Sequence, residues 1–207
     1  MSPNNSVDGN LTAYSYARHE VDVLTTGVGM VATAAWSSRA LGRERYDLAL
    51  NVGVCGSFDP ALPPGTVVHV VTDRVAELGA EDGEQFLTVD ELGLGGGETE
   101  PQASGVTINS EPPALAVLAA LPAVTGITVN TASGHEPSIA ALVERFYPQV
   151  ESMEGAGFMQ ACLIHRVPFA QVRAVSNMVE RRNREAWQMS LAIRAACNTA
   201  LDILDEA

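Results

Sequence analysis

Glu154 stands in the run Glu151-Ser152-Met153-Glu154-Gly155-Ala156, directly before a small-residue helix start. A carboxylate in that place can be held by backbone N–H groups and still accept hydrogen bonds from two neighbouring hydroxyls, such as those of a sugar diol. Taken alone, a Glu opening a helix is more often only a favourable dipole interaction. Ser152 and Met153 flank it; a thioether commonly fills a core, and it can also pack under a sugar ring. Ser176-Asn177 closes the apolar run 169–175. An amide there supplies a donor and an acceptor, enough to read the edge of a flat base, but it cannot deliver a proton as an acid. A turn-forming Asn after a strand is an equally good reading. His135, in Ser133-Gly134-His135-Glu136-Pro137, lies at a loop-to-helix junction where it can stack on a ligand or hydrogen-bond to it. Arg181, Arg182 and Arg184 form a cationic cluster that either binds a carboxylate or makes exposed pairs with Glu180 and Glu185.

Strand-to-turn junctions must position these groups. Residues 21–28 read as a strand, Gly27-Val28-Gly29 as a turn, and 30–41 as an amphipathic helix. Residues 48–54 are an almost continuous apolar run, expected to stop in a tight turn over Gly53-Val54-Cys55-Gly56-Ser57. Further strands are predicted at 66–76, 126–131 and 167–175. Helices are predicted at 112–121, 137–146, 155–165 and 184–204. The Gly-rich, acidic stretch 81–107, with Gly95-Gly96-Gly97, reads as a mobile surface loop, and residues 1–18 as irregular. Alternating strands and helices predict one α/β domain over 1–207, with a central mixed, mainly parallel sheet flanked by helices. Ligands on such sheets collect at carboxyl ends of strands, which marks out four junctions: Gly27-Val28-Gly29, 53–57, Met153-Glu154-Gly155 and Ser176-Asn177.

With 207 residues, 46% of them hydrophobic, the chain can bury a core of that size. A net charge of −13 argues against nucleic acid and anionic membrane as partners and favours a small neutral or weakly charged ligand. Cys55, Cys162 and Cys197 have neither disulfide nor zinc spacing, which suits a reducing cytoplasm. The first ten residues are polar, and no stretch reaches the roughly 18 apolar residues of a membrane span. His19, His69 and His165 show no metal-ligand spacing, and neither glycine turn carries a Walker or dinucleotide fingerprint.

Four motifs, in order, resemble the purine nucleoside phosphorylase and methylthioadenosine nucleosidase superfamily from Val21 onward. They are Thr26-Gly27-Val28-Gly29, Asn51-Val52-Gly53-Val54-Cys55-Gly56-Ser57, Ser152-Met153-Glu154-Gly155-Ala156 and Arg173-Ala174-Val175-Ser176-Asn177. The stretches 76–83, 126–131 and 176–184 are similar, more narrowly, to futalosine hydrolases. That resemblance implies hydrolysis of a purine nucleoside, with release of hypoxanthine from futalosine in menaquinone synthesis, no cofactor or metal, and a homodimer or larger homo-oligomer. It also implies that Met153 and Glu154 hold the ribose, that Gly53 and Val54 line the pocket, and that Asn177 stands where many members carry a catalytic Asp. Such cleavage passes through a ribosyl-cation-like state, which calls for a polar clamp on the ribose, a hydrogen bond to the leaving base and a placed water.

Two departures follow. Members begin with an apolar strand and a water-activating Glu, whereas this chain reaches its first apolar strand near Val21, so that strand is expected to be missing and the base is unassigned. The strand 21–28 should then be uncovered, or covered by the polar N-terminal segment or another subunit. Asn177 in place of Asp disfavours the methylthioadenosine/adenosylhomocysteine nucleosidase alternative. Asn51 and Val54, where bacterial phosphorylases carry Arg and Ser, make water the nucleophile. A non-catalytic nucleoside-binding protein is the alternative from another class.

Overall fold

The computed structural model describes residues 2–8, 10–94 and 105–207. The N-terminal segment, expected to be irregular, instead forms β1 (Ser2–Asp8) and β2 (Leu11–Tyr16), which build an antiparallel sheet with β3 (His19–Leu24) in the order β1-β2-β3. The reason lies in Leu11-Thr12-Ala13-Tyr14-Ser15-Tyr16, which is rich in Thr and Tyr. The two-residue link Ala17-Arg18 reverses it, with Ala17 at φ 51°. One edge of the expected strand 21–28 is thus covered by the polar segment, through β2, and no described strand pairs with the other edge of β3. Gly27 and Gly29 follow at φ 82° and 101°, values that favour glycine, and α1 (Met30–Leu41) starts at once.

The central sheet contains β4 (Ala49–Ser57), β5 (Val67–Val75), β8 (Val106–Ile108), β9 (Ala123–Thr128), β10 (Val150–Ser152) and β11 (Phe169–Met178). Its order is β11-β4-β10-β9-β5-β8, and an additional β11–β5 pairing closes five of these strands into a ring. The β11–β4, β10–β9 and β5–β9 ladders are parallel; β10–β4, β11–β5 and β5–β8 are antiparallel. The longest ladders are parallel, so the mixed sheet agrees with the expectation, although alternation of strands and helices did not announce the antiparallel half.

Several boundaries move for identifiable reasons. The residues Gly53–Ser57 continue β4 and make no turn, because β11 pairs with them as far as Ser57. The strand expected at 126–131 ends at Thr128, and Asn130 is held instead by the Glu77 carboxylate through its backbone N–H and its amide at 3.0–3.1 Å. Part of the presumed loop 81–107 is ordered: β6 (Gly79–Asp82) and β7 (Gln85–Thr88) form a hairpin, while Gly95-Gly96-Gly97 lies outside the described residues. The helix expected over 184–204 is interrupted. A 3₁₀ turn at Arg184–Ala186 precedes α5 (Met189–Glu206), because Gln188 N–H donates to the Ser176 carbonyl and draws the chain back to the end of β11.

Helix α2 (Ala116–Ala120) is shorter than the helix expected over 112–121, starting only after Pro112 and Pro113; α3 (Glu136–Phe146) lies where expected, and α4 (Gly155–His165) matches its predicted bounds. It packs against α1 so closely that a Cβ on Gly157 would overlap the Met30 carbonyl. Its Phe158, Met159 and Cys162 bury against Phe169 of β11, and α5 sets Ala192 and Ala196 on Ala174 of the same strand. None of the described helices is long and apolar enough to cross a membrane.

Candidate active site

Glu154 occupies the N-cap position of α4, yet its side chain does not cap that helix. The orphan N–H groups are satisfied by others: Gly155 donates to Ser152 Oγ at 3.2 Å and Ala156 to Thr128 Oγ1 at 2.8 Å. The carboxylate, 21% exposed, is released to face Arg173, whose Nη1 lies 3.2 Å from Oε2, and Gly29, whose N–H donates to Oε1 at 3.4 Å. The expectation that its own helix holds it is corrected: the first glycine turn and β11 do. Gly53 explains how Arg173 fits, since a Cβ there would overlap Nη1. The Val54 carbonyl accepts from the same nitrogen at 3.5 Å, while the Val54 side chain packs toward Ala192 and Ala196. Four motifs distant in sequence therefore meet at one ion pair.

The remaining candidates separate into groups. Ser152 is buried and spent on the helix start, and Met153 is partly buried against Ala76, Ile127 and Val129. Asn177 follows a bulge in β11 and pairs with Gly56. Its carbonyl lies 2.7 Å from Ser176 Oγ and its amide nitrogen donates to the Met178 carbonyl at 2.9 Å, so one acceptor site and one donor remain for a ligand. Ser176 Oγ also sits 3.1 Å from the Cys55 carbonyl. His135 is exposed at the N-cap of α3, its Nδ1 3.0 Å from Ser138 Oγ. Its loop is anchored by Glu151, which accepts from Ser133 N–H at 2.8 Å and from Ser133 Oγ at 2.5 Å. Burial raises the Glu151 carboxyl, against those two hydrogen bonds, and the Glu77 charge adds to the rise. Arg181, Arg182 and Arg184 are exposed, and Arg182 stacks 5.9 Å over the Trp187 ring.

Three buried polar residues escaped the sequence reading: Arg173, Gln171 and Asp73, which are 2%, 0% and 1% exposed. For Gln171 and Arg173 the signal was present as polar side chains at alternate positions of an otherwise apolar strand, whereas Asp73 sits in β5 between Thr72 and Arg74, where its burial leaves no pattern. Gln171 Nε2 donates to Asp73 Oδ2 at 2.9 Å, and Thr128 Oγ1 to Asp73 Oδ1 at 2.8 Å. Burial pushes the Asp73 carboxyl up from 3.8 to about 6, although the bonds from Gln171 and Thr128 and the Arg173 charge oppose the shift. The folded chain thus holds a proton more tightly than the unfolded one, and stability from this group falls as pH rises from about 4 to about 6, then levels off. Two units correspond to roughly 3 kcal/mol. Denaturant titrations across that range should show a shallower fall for Asp73→Asn than for the native chain; equal slopes would refute the assignment.

The sequence model of the phosphorylase superfamily matches residues 2–207. The chain belongs to that superfamily. It is 37% identical over 185 residues to a futalosine hydrolase of Streptomyces coelicolor, covering 84% of this chain and 74% of that protein. It is 30% identical over 186 residues to the futalosine hydrolase of Thermus thermophilus, covering 88% and 80%. Among solved structures, the futalosine hydrolase of Helicobacter pylori superposes with a TM-score of 0.81 at 15% identity over 100% of this chain and 88% of that one. A methylthioadenosine/adenosylhomocysteine nucleosidase of Neisseria meningitidis, bound to methylthio-immucillin-A, gives the same score at 17% identity over 99% and 90%. Both structural likenesses establish the fold of this superfamily member.

Proposed function

We propose that the chain hydrolyses the N-glycosidic bond of futalosine, releasing hypoxanthine, and that Glu154 grips the ribose diol during the reaction. The observation that supports this most is the unspent valence of Glu154: of roughly four acceptor sites on a carboxylate, Arg173 and Gly29 occupy two. Two sites are left for two hydroxyls, and the negative charge favours the cationic ribosyl state that develops as the base departs. The curated relatives at 30–37% identity carry the same activity in their names. Asn177 uses its remaining donor and acceptor on the purine edge, with Ser176 fixing the amide, and His135 borders the base from the neighbouring loop. Met153 backs the turn that carries Glu154. Water is the nucleophile. We place the enzyme in the cytoplasm as a homodimer or larger homo-oligomer, with a small purine nucleoside as its ligand and neither nucleic acid nor membrane as a partner.

Arg181 and Arg184 are assigned to the carboxylate of the futalosine tail. Among the described residues neither forms an ion pair, so the pairs with Glu180 and Glu185 weighed from the sequence are not made. Both arginines are exposed, and a guanidinium–carboxylate pair that the bound tail shields from water contributes on the order of 1.5–3 kcal/mol, a ten- to hundredfold preference. Hypoxanthine release should be measured with futalosine and inosine, and adenine release with methylthioadenosine. Futalosine is expected to be the best substrate, and Arg181→Ala or Arg184→Ala should lose futalosine turnover by at least tenfold while sparing inosine. Faster turnover of methylthioadenosine would overturn the substrate assignment; equal losses on both hypoxanthine nucleosides would overturn the tail contact.

A further inference from the structure

A buried guanidinium is tolerated only when its charge is matched and its N–H groups are filled. Glu154 matches the charge of Arg173. The other side of the guanidinium is filled by Gln171, whose Oε1 accepts from Nε at 3.4 Å and from Nη2 at 3.3 Å. An amide can present either end, however, and an amide nitrogen facing Arg173 would set donor against donor. The opposite end of Gln171 decides which: Nε2 faces Asp73 Oδ2 at 2.9 Å and Met159 Sδ at 3.3 Å, and an ionised carboxylate only accepts. Asp73 is in turn fixed by Thr128, and Thr128 Oγ1 receives the Ala156 N–H in the first turn of the helix that Glu154 opens. The contacts form a closed circuit from Glu154 through Arg173, Gln171, Asp73 and Thr128 back to α4.

We propose that Asp73 and Gln171 are positioning residues for Glu154: Asp73 orients the Gln171 amide, whose carbonyl then aims the Arg173 guanidinium at Glu154 Oε2. The proposal rests on the reading of Glu154 as the ribose-binding carboxylate. It explains why a neutral amide lies between two charged groups. A carboxylate at position 171 would draw the guanidinium to itself, because charged acceptors hold a cation more strongly than neutral ones, and Glu154 would lose its anchor. A proton shared between the new carboxyl and Asp73 would replace the lost N–H bond, so the shape and the local packing would persist.

The test is equilibrium binding of inosine and 2′-deoxyinosine to the intact chain and to Gln171→Glu, Gln171→Met and Asp73→Asn, with thermal unfolding followed in parallel. The native chain should prefer inosine by at least tenfold. Gln171→Glu should reduce that preference to within about twofold, with a larger loss of affinity for inosine than for 2′-deoxyinosine, which offers Glu154 one hydroxyl in place of two. Gln171→Met and Asp73→Asn should reduce it by about threefold. Should Gln171→Glu fail to fold, Gln171→Met, which keeps the volume and removes the acceptor, decides the question. A native-size preference in the folded variants, whatever their melting temperatures, would reduce Asp73 and Gln171 to packing and overturn the proposal. Absence of any preference in the native chain would instead overturn the reading of Glu154, and the proposal with it.

Discussion

Glu154→Gln is expected to lower hydrolytic turnover about a hundredfold while the chain stays folded. Hydrogen bonds to a charged acceptor are worth about 1.5–3 kcal/mol each, and the substitution exchanges one carboxylate oxygen for an N–H₂ group that must face either Arg173 or the diol. Facing Arg173 it opposes a donor; facing the diol it forfeits an acceptor. A loss near 2.7 kcal/mol in the transition state corresponds to the stated factor. The chain should still fold but melt several degrees lower, because Arg173, 2% exposed, loses its counterion, while the carbonyl of the new amide can still accept from it and position 154 itself is 21% exposed. Steady-state hydrolysis beside circular dichroism melting checks both halves. Near-native turnover from a folded Glu154→Gln chain would remove Glu154 from the reaction.

Gly155→Ala should be strongly destabilising. A Cβ at this position would overlap both Asp73 Oδ2 and Gln171 Oε1, and neither atom is the loose end of a flexible side chain. Each is buried and hydrogen-bonded, so the first turn of α4 would have to lift away from the sheet. Overpacking of this kind costs about 3 kcal/mol, which for a chain of this size lowers the melting temperature by roughly 10 °C. Turnover should fall as well, since Glu154 rides on the same turn. Gly134→Ala is the control: its Cβ would meet only Arg182, at 3.8–4.0 Å, an ordinary contact, and stability should change by less than about 0.5 kcal/mol. Comparable melting of the two variants would contradict the close approach at Gly155.

The helix at 155–165 and the glycine turn at 27–29 were legible because small residues and glycines report local backbone demands directly. The ion pair was only half legible. Glu154 lies at a junction, where polarity attracts notice, but Arg173 sits inside a strand whose neighbours are apolar, and its meaning depends on Gly53 of another strand leaving room for it. β10 was invisible for a different reason: three residues, two of them Glu151 and Ser152, give no periodicity, and their extended form is imposed by β9 and β4 on either side. The N-terminal hairpin shows the reverse error. Its polarity suggested irregular chain, and the two-residue link Ala17-Arg18 lacks the Asn-Gly or Gly-X pair that would have announced a hairpin.

Closure of the five strands through the β11–β5 contact divides the molecule by timescale. β11 is gripped by β4 along Phe169–Met178 and by β5 along Gln171–Ala174, so the backbone that carries Gln171 and Arg173 cannot shift without rupturing two ladders together. Motions that admit a nucleoside must therefore belong to chain outside the ring, above all the loop at 130–135 and the segment at 179–188. Amide protons of β11 should exchange with solvent only through global unfolding, while those two segments exchange through local openings many orders of magnitude faster. Entry and release are thereby separated from the geometry that holds Glu154, and the rate of capture can change without retuning the rate of bond cleavage.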